Sequence, residues 1–208
     1  MPSRSQNREV IIRHTFESVQ DYTQIDGVIL EAIVSCVMSA FDNSVTYENT
    51  LKHIKGGLIT ADVDQATERV LAFSSTDFGS PNKLFQRDDI SGEEGCYLAG
   101  ATVAKDAQGL GLYKSMNELR ISTAIKKGLS LIFTRTQNPR VQAGIESTLD
   151  TFQKEGSILG YTHERILIPG CYGSQLTKTK PVDNLISYDE LNYEEGDAYI
   201  LMFKLIIP

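Results

Sequence analysis

The sequence predicts an α/β (α+β) chain with a mixed central sheet of about seven strands flanked by about four helices. Three observations carry this expectation. Short β-rich runs alternate with stretches of helical apolar spacing along most of the 208 residues. Two early runs, LITADV (58–63) and RVLAFSS (69–75), flank the polar DQATE as the arms of a hairpin would. A third stretch, VAKDAQGLGLYKSM (103–116), places a glycine-rich hinge between a strand-like run and a helix-like one.

Taken in order, REVIIRHTF (8–16) reads as a first strand. Thr23, with Asp26 three residues on, resembles a capping box. Ile25, Ile29, Ala32, Ile33, Cys36 and Ala40 then recur at helical spacing as far as Phe41, and Asp42 and Asn43 break the pattern. A shorter helix over 46–55 stops at Gly56-Gly57, and the hairpin follows. Residues 77–95 read as a loop, and CYLAGATVA (96–104) as a strand. From Leu110 to Lys127 the pattern is helical: Leu112, Met116 and Leu119 share a face, Lys126 and Lys127 suit a C-terminus, and Gly128 terminates it. LSLIFTRT (129–136) is a buried strand, and Asn138-Pro139 opens a helix that runs to Glu155. SILGYTHERILI (157–168) and DAYILMFKLII (197–207) are the last strands, separated by a long polar connection. The order is β–α–α–β–β–β–α–β–α–β–β, read as one domain over 1–208.

Composition narrows the function. A net charge of −7 argues against a nucleic-acid partner, because a phosphate backbone needs a cationic surface. No run of 18 apolar residues exists, so no membrane partner is expected, and MPSRSQNREV has no apolar core of a signal peptide. Cys36, Cys96 and Cys171 are odd in number and widely spaced, and His14, His53 and His163 stand alone. That spacing suits neither a disulfide framework nor a metal site, and it fits a reducing, cytoplasmic setting.

Three phosphate-binding readings of the hinge compete. A P-loop needs glycine where Tyr113 and Gln108 stand, although Lys114-Ser115 imitates its ending. A dinucleotide fingerprint finds Gly109 and Gly111 but meets Lys114 at its third glycine, and no acid about twenty residues on. The third reading fits: Val103, then Gln108 five residues on, then Gly111 three further, with Met116 and Leu119 in the helix behind. This stretch resembles motif A of the GNAT superfamily, the acyl-CoA-dependent N-acyltransferases, and the element order matches that fold across nearly the whole chain.

The resemblance implies an N-acetyltransferase that moves an acetyl group directly from acetyl-CoA to an amine on a small molecule or protein. The alternative is a non-catalytic GNAT-fold module that binds CoA or a protein partner, and a homodimer stays open. The pyrophosphate of CoA would meet a helix N-terminus with unpaired amides, approached over glycines. Gln108, Gly109, Leu110, Gly111, Leu112 and Tyr113 are the expected contacts, with Ala101 and Val103 offering backbone groups to the pantetheine arm and Asn138 opening the next helix. Tyr113 departs from the glycine or alanine of the pattern, and its ring either lies against a helix or narrows the site.

The chemistry needs a base for the amine, polarisation of the thioester carbonyl and help for the leaving thiolate. Tyr97 occupies a position where some members of the family carry glutamate, and Glu93 and Glu94 lie just before it. The family's tyrosine acid, counted back from Gly156, falls on Phe152, which cannot donate a proton, so Tyr161 is the nearby hydroxyl. The acceptor is expected between residues 41–47 and the 169–197 connection, whose Asp183, Asp189, Glu190, Glu194, Glu195 and Asp197 could form an acidic rim.

Overall fold

The computed structural model describes residues 10–41, 45–172 and 187–208. Asp42, Asn43 and Asp183, named above, lie outside them, as does the start of the first expected strand. In chain order the elements are β1 (Ile11–Val19), α1 (Gly27–Ala40), α2 (Tyr47–His53), β2 (Gly56–Asp64), β3 (Arg69–Gly79), α3 (Pro81–Phe85), β4 (Gly95–Val103), α4 (Leu112–Lys126), β5 (Leu131–Thr136), α5 (Pro139–Lys154), β6 (Gly160–Ile168) and β7 (Ala198–Ile206). Among the described residues, seven strands form one sheet in the order β1-β2-β3-β4-β5-β7-β6. Every pairing is antiparallel except β4 with β5. The α/β fold with a mixed seven-stranded sheet is the one expected, with α3 added.

The local differences have local causes. The turn before α1 is a separate 3-10 turn (Tyr22–Gln24) whose capping box is Asp21 with Gln24, not Thr23 with Asp26. Ile25 is extended (φ −98°, ψ 138°), so the helix starts afresh, with the Asp26 carboxylate accepting from the amides of Val28 and Ile29. The expected loop 77–95 is partly regular, because Asp77, Phe78 and Gly79 of β3 continue to pair with Tyr97, Cys96 and Gly95 of β4. Ser80-Pro81 then opens α3.

Side-chain alternation sorts the two faces. Arg13 on β1 holds buried Asp62 on β2 at 2.5 and 2.6 Å and reaches the Ser115 hydroxyl on α4 at 3.1 Å. The face carrying Arg13, Thr60, Asp62 and Ser74 therefore lies under α4. Ile59, Ala61 and Phe73 point the other way and pack with Ile33, Val34 and Val37 of α1. A second core joins Ile121 and Ala124 of α4 to Ile145 and Leu149 of α5 over Ile132, Leu201 and Phe203. The helices α4 and α5 thus share one face, with α1 on the other.

Candidate active site

The strands β4 and β5 pair at three positions only: Gly95 with Leu131, Cys96 with Ile132, and Tyr97 with Phe133. Past Tyr97, β4 follows β3 and β5 follows β7, and the two diverge into a fork. Thr134 closes its apex, its hydroxyl donating to the Leu98 carbonyl at 2.8 Å. At the same level the β3–β4 register shifts, so that Leu98 and Ala99 together oppose Thr76. Such a bulge re-aims the backbone of its strand.

The ladder pattern shows which backbone groups enter the fork. The Ala104 amide donates to the Leu71 carbonyl at 2.8 Å, which makes Ala72–Val103 a non-hydrogen-bonded pair. Val103, and Ala101 two residues before it, therefore turn their N–H and C=O groups away from β3 and into the fork. On the other arm, the Leu205 amide donates to the Ser130 carbonyl at 2.7 Å. By the same alternation Arg135 turns its backbone groups away from β7, toward β4.

The glycine-rich hinge lies at the open end of the fork. Gly109 (φ +87°) and Gly111 (φ +78°) are both left-handed, and an added Cβ at either would meet nothing within 4 Å. They serve backbone conformation and leave the space above them open. Gly111 is the N-cap of α4 and offers no side-chain cap, and the Ser115 amide donates to the Gly111 carbonyl in the helix's first turn. The amides of Leu112, Tyr113 and Lys114 consequently have no acceptor within the helix. Gln108, Gly109 and Leu110 are exposed around them. An amide-lined helix start of this kind favours an anionic group.

Tyr113 resolves the one departure from the motif. Its ring lies against Gly144 of α5, so closely that a Cβ on Gly144 would come within 2.4 Å of Tyr113 Cε1. The ring thus fills the α4–α5 contact. Asn138 is the N-cap of α5, accepting from the Arg140 amide at 2.9 Å.

The expected catalytic residues separate. Tyr97 stands at the last paired position of the fork, its ring stacked on Phe133 (5.2 Å) and edge-on to Phe85 (5.4 Å), and burial pushes its phenol pKa up. Glu94 precedes β4 at the closed end and is exposed. Its neighbour Glu93 is occupied by Lys204 and by Ser130 (2.8 Å), which hold its carboxyl below the ordinary range. Tyr161 lies on β6, beyond β7 from the fork, donating to Asp150 on α5 at 2.9 Å. Phe152 is buried in the α4–α5 core, and about two turns nearer the helix start stands Ile145, also buried. Neither position offers a proton. Of the acidic rim, Asp197 is spent on the Gly170 and Asn192 amides, each at 3.0 Å.

Other residues meet at the fork. Tyr172, just after β6, donates its hydroxyl to the Arg135 carbonyl at 3.1 Å, and burial pushes its pKa up. Arg135 stands over the Tyr172 ring at 4.7 Å, with Nη1 3.8 Å from Cys171 Sγ. His53, exposed at the end of α2, has its pKa lowered by desolvation and then by the charges of Arg135, Lys55 and Lys52. On the α4 face, wholly buried Arg120 donates to the Gly100 carbonyl at 3.0 Å and to Asn117. Its Nε and Asn117 Nδ2 have no partner among the described residues. An arginine inside the otherwise uncharged LSLIFTRT was the available sequence signal for Arg135. Tyr172 had none, since 37 residues separate it from its partner.

Among the described residues no three His, Cys, Asp or Glu side chains gather as metal ligands, and no helix is long and apolar enough to cross a membrane. No protein-family model and no curated protein matches the chain in sequence. Solved structures do match in fold. Naa20 of Chaetomium thermophilum, in complex with a bisubstrate analogue, superposes with a TM-score of 0.54 at 14% identity, over 94% of this chain and 86% of that one. The ribosomal-protein-S18-alanine N-acetyltransferase of Escherichia coli gives 0.53 at 14%, over 95% and 96%. The IAA acetyltransferase of Bacillus cereus gives 0.52 at 15%, over 95% and 100%. The chain has the fold of the GNAT superfamily, as its sequence motif and element order led one to expect.

Proposed function

We propose that this chain works as a single acyltransferase domain that moves an acetyl group from acetyl-CoA to an amine. The observation that carries the reading is the continuity of the fork with the hinge. Gap-facing backbone groups of Ala101 and Val103 lead from the free amides of Leu112, Tyr113 and Lys114 down to the apex at Leu98 and Thr134. A diphosphate at one end and an amide-bearing arm along the other match that lining.

In the reaction the amine nitrogen attacks the thioester carbonyl, the C–N bond forms, the C–S bond breaks, and the thiolate leaves. The amine's proton must go to a base, and the thiolate must be stabilised or protonated. His53 is the candidate for the first role, since desolvation and the charges of Arg135, Lys55 and Lys52 lower its pKa and favour the proton-accepting form. Tyr172 supports the second, as the hydroxyl inside the fork where α5 presents only Phe152 and Ile145. Tyr97 shapes the apex. Three free cysteines suit a reducing, cytoplasmic setting.

The test is calorimetric titration with CoA, alongside thiol release from acetyl-CoA across an amine panel. Binding with turnover is expected, and absence of both sinks the reading. A second reading, a CoA-binding module without catalysis, is favoured by the Tyr172 hydroxyl already being engaged on Arg135. Binding with no turnover on a broad panel would select it.

A further inference from the structure

Arg135 is charged, half-buried and set in a strand whose neighbours on the same face, Leu131 and Phe133, are fully enclosed. It stands two residues past the last β4–β5 pair, at the mouth of the fork. This chain has acids to spare, with 27 Asp and Glu against 20 Lys and Arg. It uses them on other arginines: Asp62 holds Arg13, Asp106 holds Arg69, and Asp89 holds Arg87. No carboxylate among the described residues reaches Arg135. Its surroundings are the Tyr172 ring and the Cys171 thiol, with the Tyr97 phenol also acting on its charge. The charge of Arg135 is one of those that lower the pKa of His53 on α2, while the molecule as a whole is anionic.

A partly desolvated guanidinium over the Tyr172 ring, with no carboxylate against it among the described residues, is suited to receive one. We propose that Arg135 binds the carboxylate of the acceptor, and that the acceptor is a small amine of amino-acid type, with its carboxylate a few bonds from the reacting nitrogen. The short span follows from the strand: Arg135 is the residue next to Thr134, whose hydroxyl marks the apex. The planar carboxylate takes the guanidinium in two hydrogen bonds, and the Tyr172 ring shields the pair from water. The carboxylate is unchanged by the reaction and leaves in the N-acetylated product. This inference rests on the acetyl-transfer reading for its chemistry but makes a separate binding claim.

The experiment compares L-amino acids with their carboxamides, which differ only in that charge, using the full chain. Thiol release should favour the acid over its amide by on the order of 10- to 100-fold in kcat/KM, seen mainly in KM. In R135Q that ratio should fall toward one, and R135K should retain part of it. A ratio near one in the parent, or a ratio that survives in R135Q, overturns the proposal. Calorimetry with N-acetyl amino acids, with and without CoA, gives a readout that does not need turnover. Binding by the parent and R135K but not R135Q supports the proposal, and equal binding by all three, or by none, overturns it. Failure to bind CoA at all would instead count against the acetyl-transfer reading. Thermal unfolding of each variant confirms that folded proteins are compared.

Discussion

Tyr113 and Arg120 show how single side chains of α4 shape the fork from beneath. Tyr113 takes a motif position that favours a small residue, and Gly144 on α5 gives its ring room. Gly144→Ala should therefore cost about 1–3 kcal/mol, because a Cβ drives the ring out of a packed contact. In a Tyr113→Ala background the same change should be neutral or stabilising, since alanine exceeds glycine in helix preference by about 1 kcal/mol. Urea denaturation of the four proteins checks this, and an equal cost in both backgrounds would refute the account. Arg120 is a buried cation with an amide and a carbonyl for partners and no carboxylate. Burial alone pulls its pKa down, which reflects the cost of keeping the charge there. Arg120→Met should leave stability within about 1 kcal/mol of the parent or raise it, whereas Arg120→Ala, which opens a cavity, should lose about 2–4 kcal/mol. Both should raise KM for acetyl-CoA, since the Gly100 carbonyl beside the bulge loses its tether. An unchanged KM would show that the tether does not shape the fork.

The hinge and the strands around it show what an element owes to its own residues and what it owes to distant ones. Gly109 and Gly111 have positive φ with open space around them, so the cost of a side chain there is purely conformational. Gly111→Ala should destabilise by about 1–2 kcal/mol, and Gly111→Asn by less, because asparagine tolerates the left-handed region. Equal losses in thermal melts would mean that something other than φ sets the cost. That hinge was legible in the sequence, since a left-handed turn leading into a helix leaves its mark on the turn residues themselves. So were the 2- and 3.6-residue periods that located most elements. The end of β3 was not legible, because Asp77 to Gly79 are strand only by pairing with β4. The groups that face the fork were half legible: Ala101 and Val103 were implied by the resemblance to motif A, but Arg135 and Tyr172 meet only once β5 and the end of β6 are in place. Tyr161 was near Phe152 in sequence, yet β6 carries it past β7, away from the fork.

At the scale of the molecule, two half-sheets with separate cores share one short parallel seam, and the thiol of Cys96 and the phenol of Tyr97 stand on it. Cys96 is on that seam, fully enclosed, and burial pushes its thiol up to about 12 from an ordinary 9.0. Cys36 on the buried face of α1 is pushed up to about 11, again by burial first, and Tyr188 to about 12 from 10.0. The sign is common to all three: the folded protein holds these protons more tightly than the unfolded chain. Their contribution is therefore intact below pH 9 and is lost as pH climbs from 9 toward 12. Once an unfolded group has ionised and its folded counterpart has not, each adds about 1.4 kcal/mol per pH unit to the decline. Growing negative charge on a chain already at −7 acts in the same direction. Urea midpoints should accordingly be flat from pH 7 to about 8.5 and fall steeply above 9. Cys96→Ala leaves a small cavity, so its stability should be lower at neutral pH, but its decline above pH 9 should be shallower by about 1.4 kcal/mol per unit. Parallel declines for the parent and Cys96→Ala would mean that the seam thiol does not carry the alkaline sensitivity, and would leave that role to Cys36 and Tyr188.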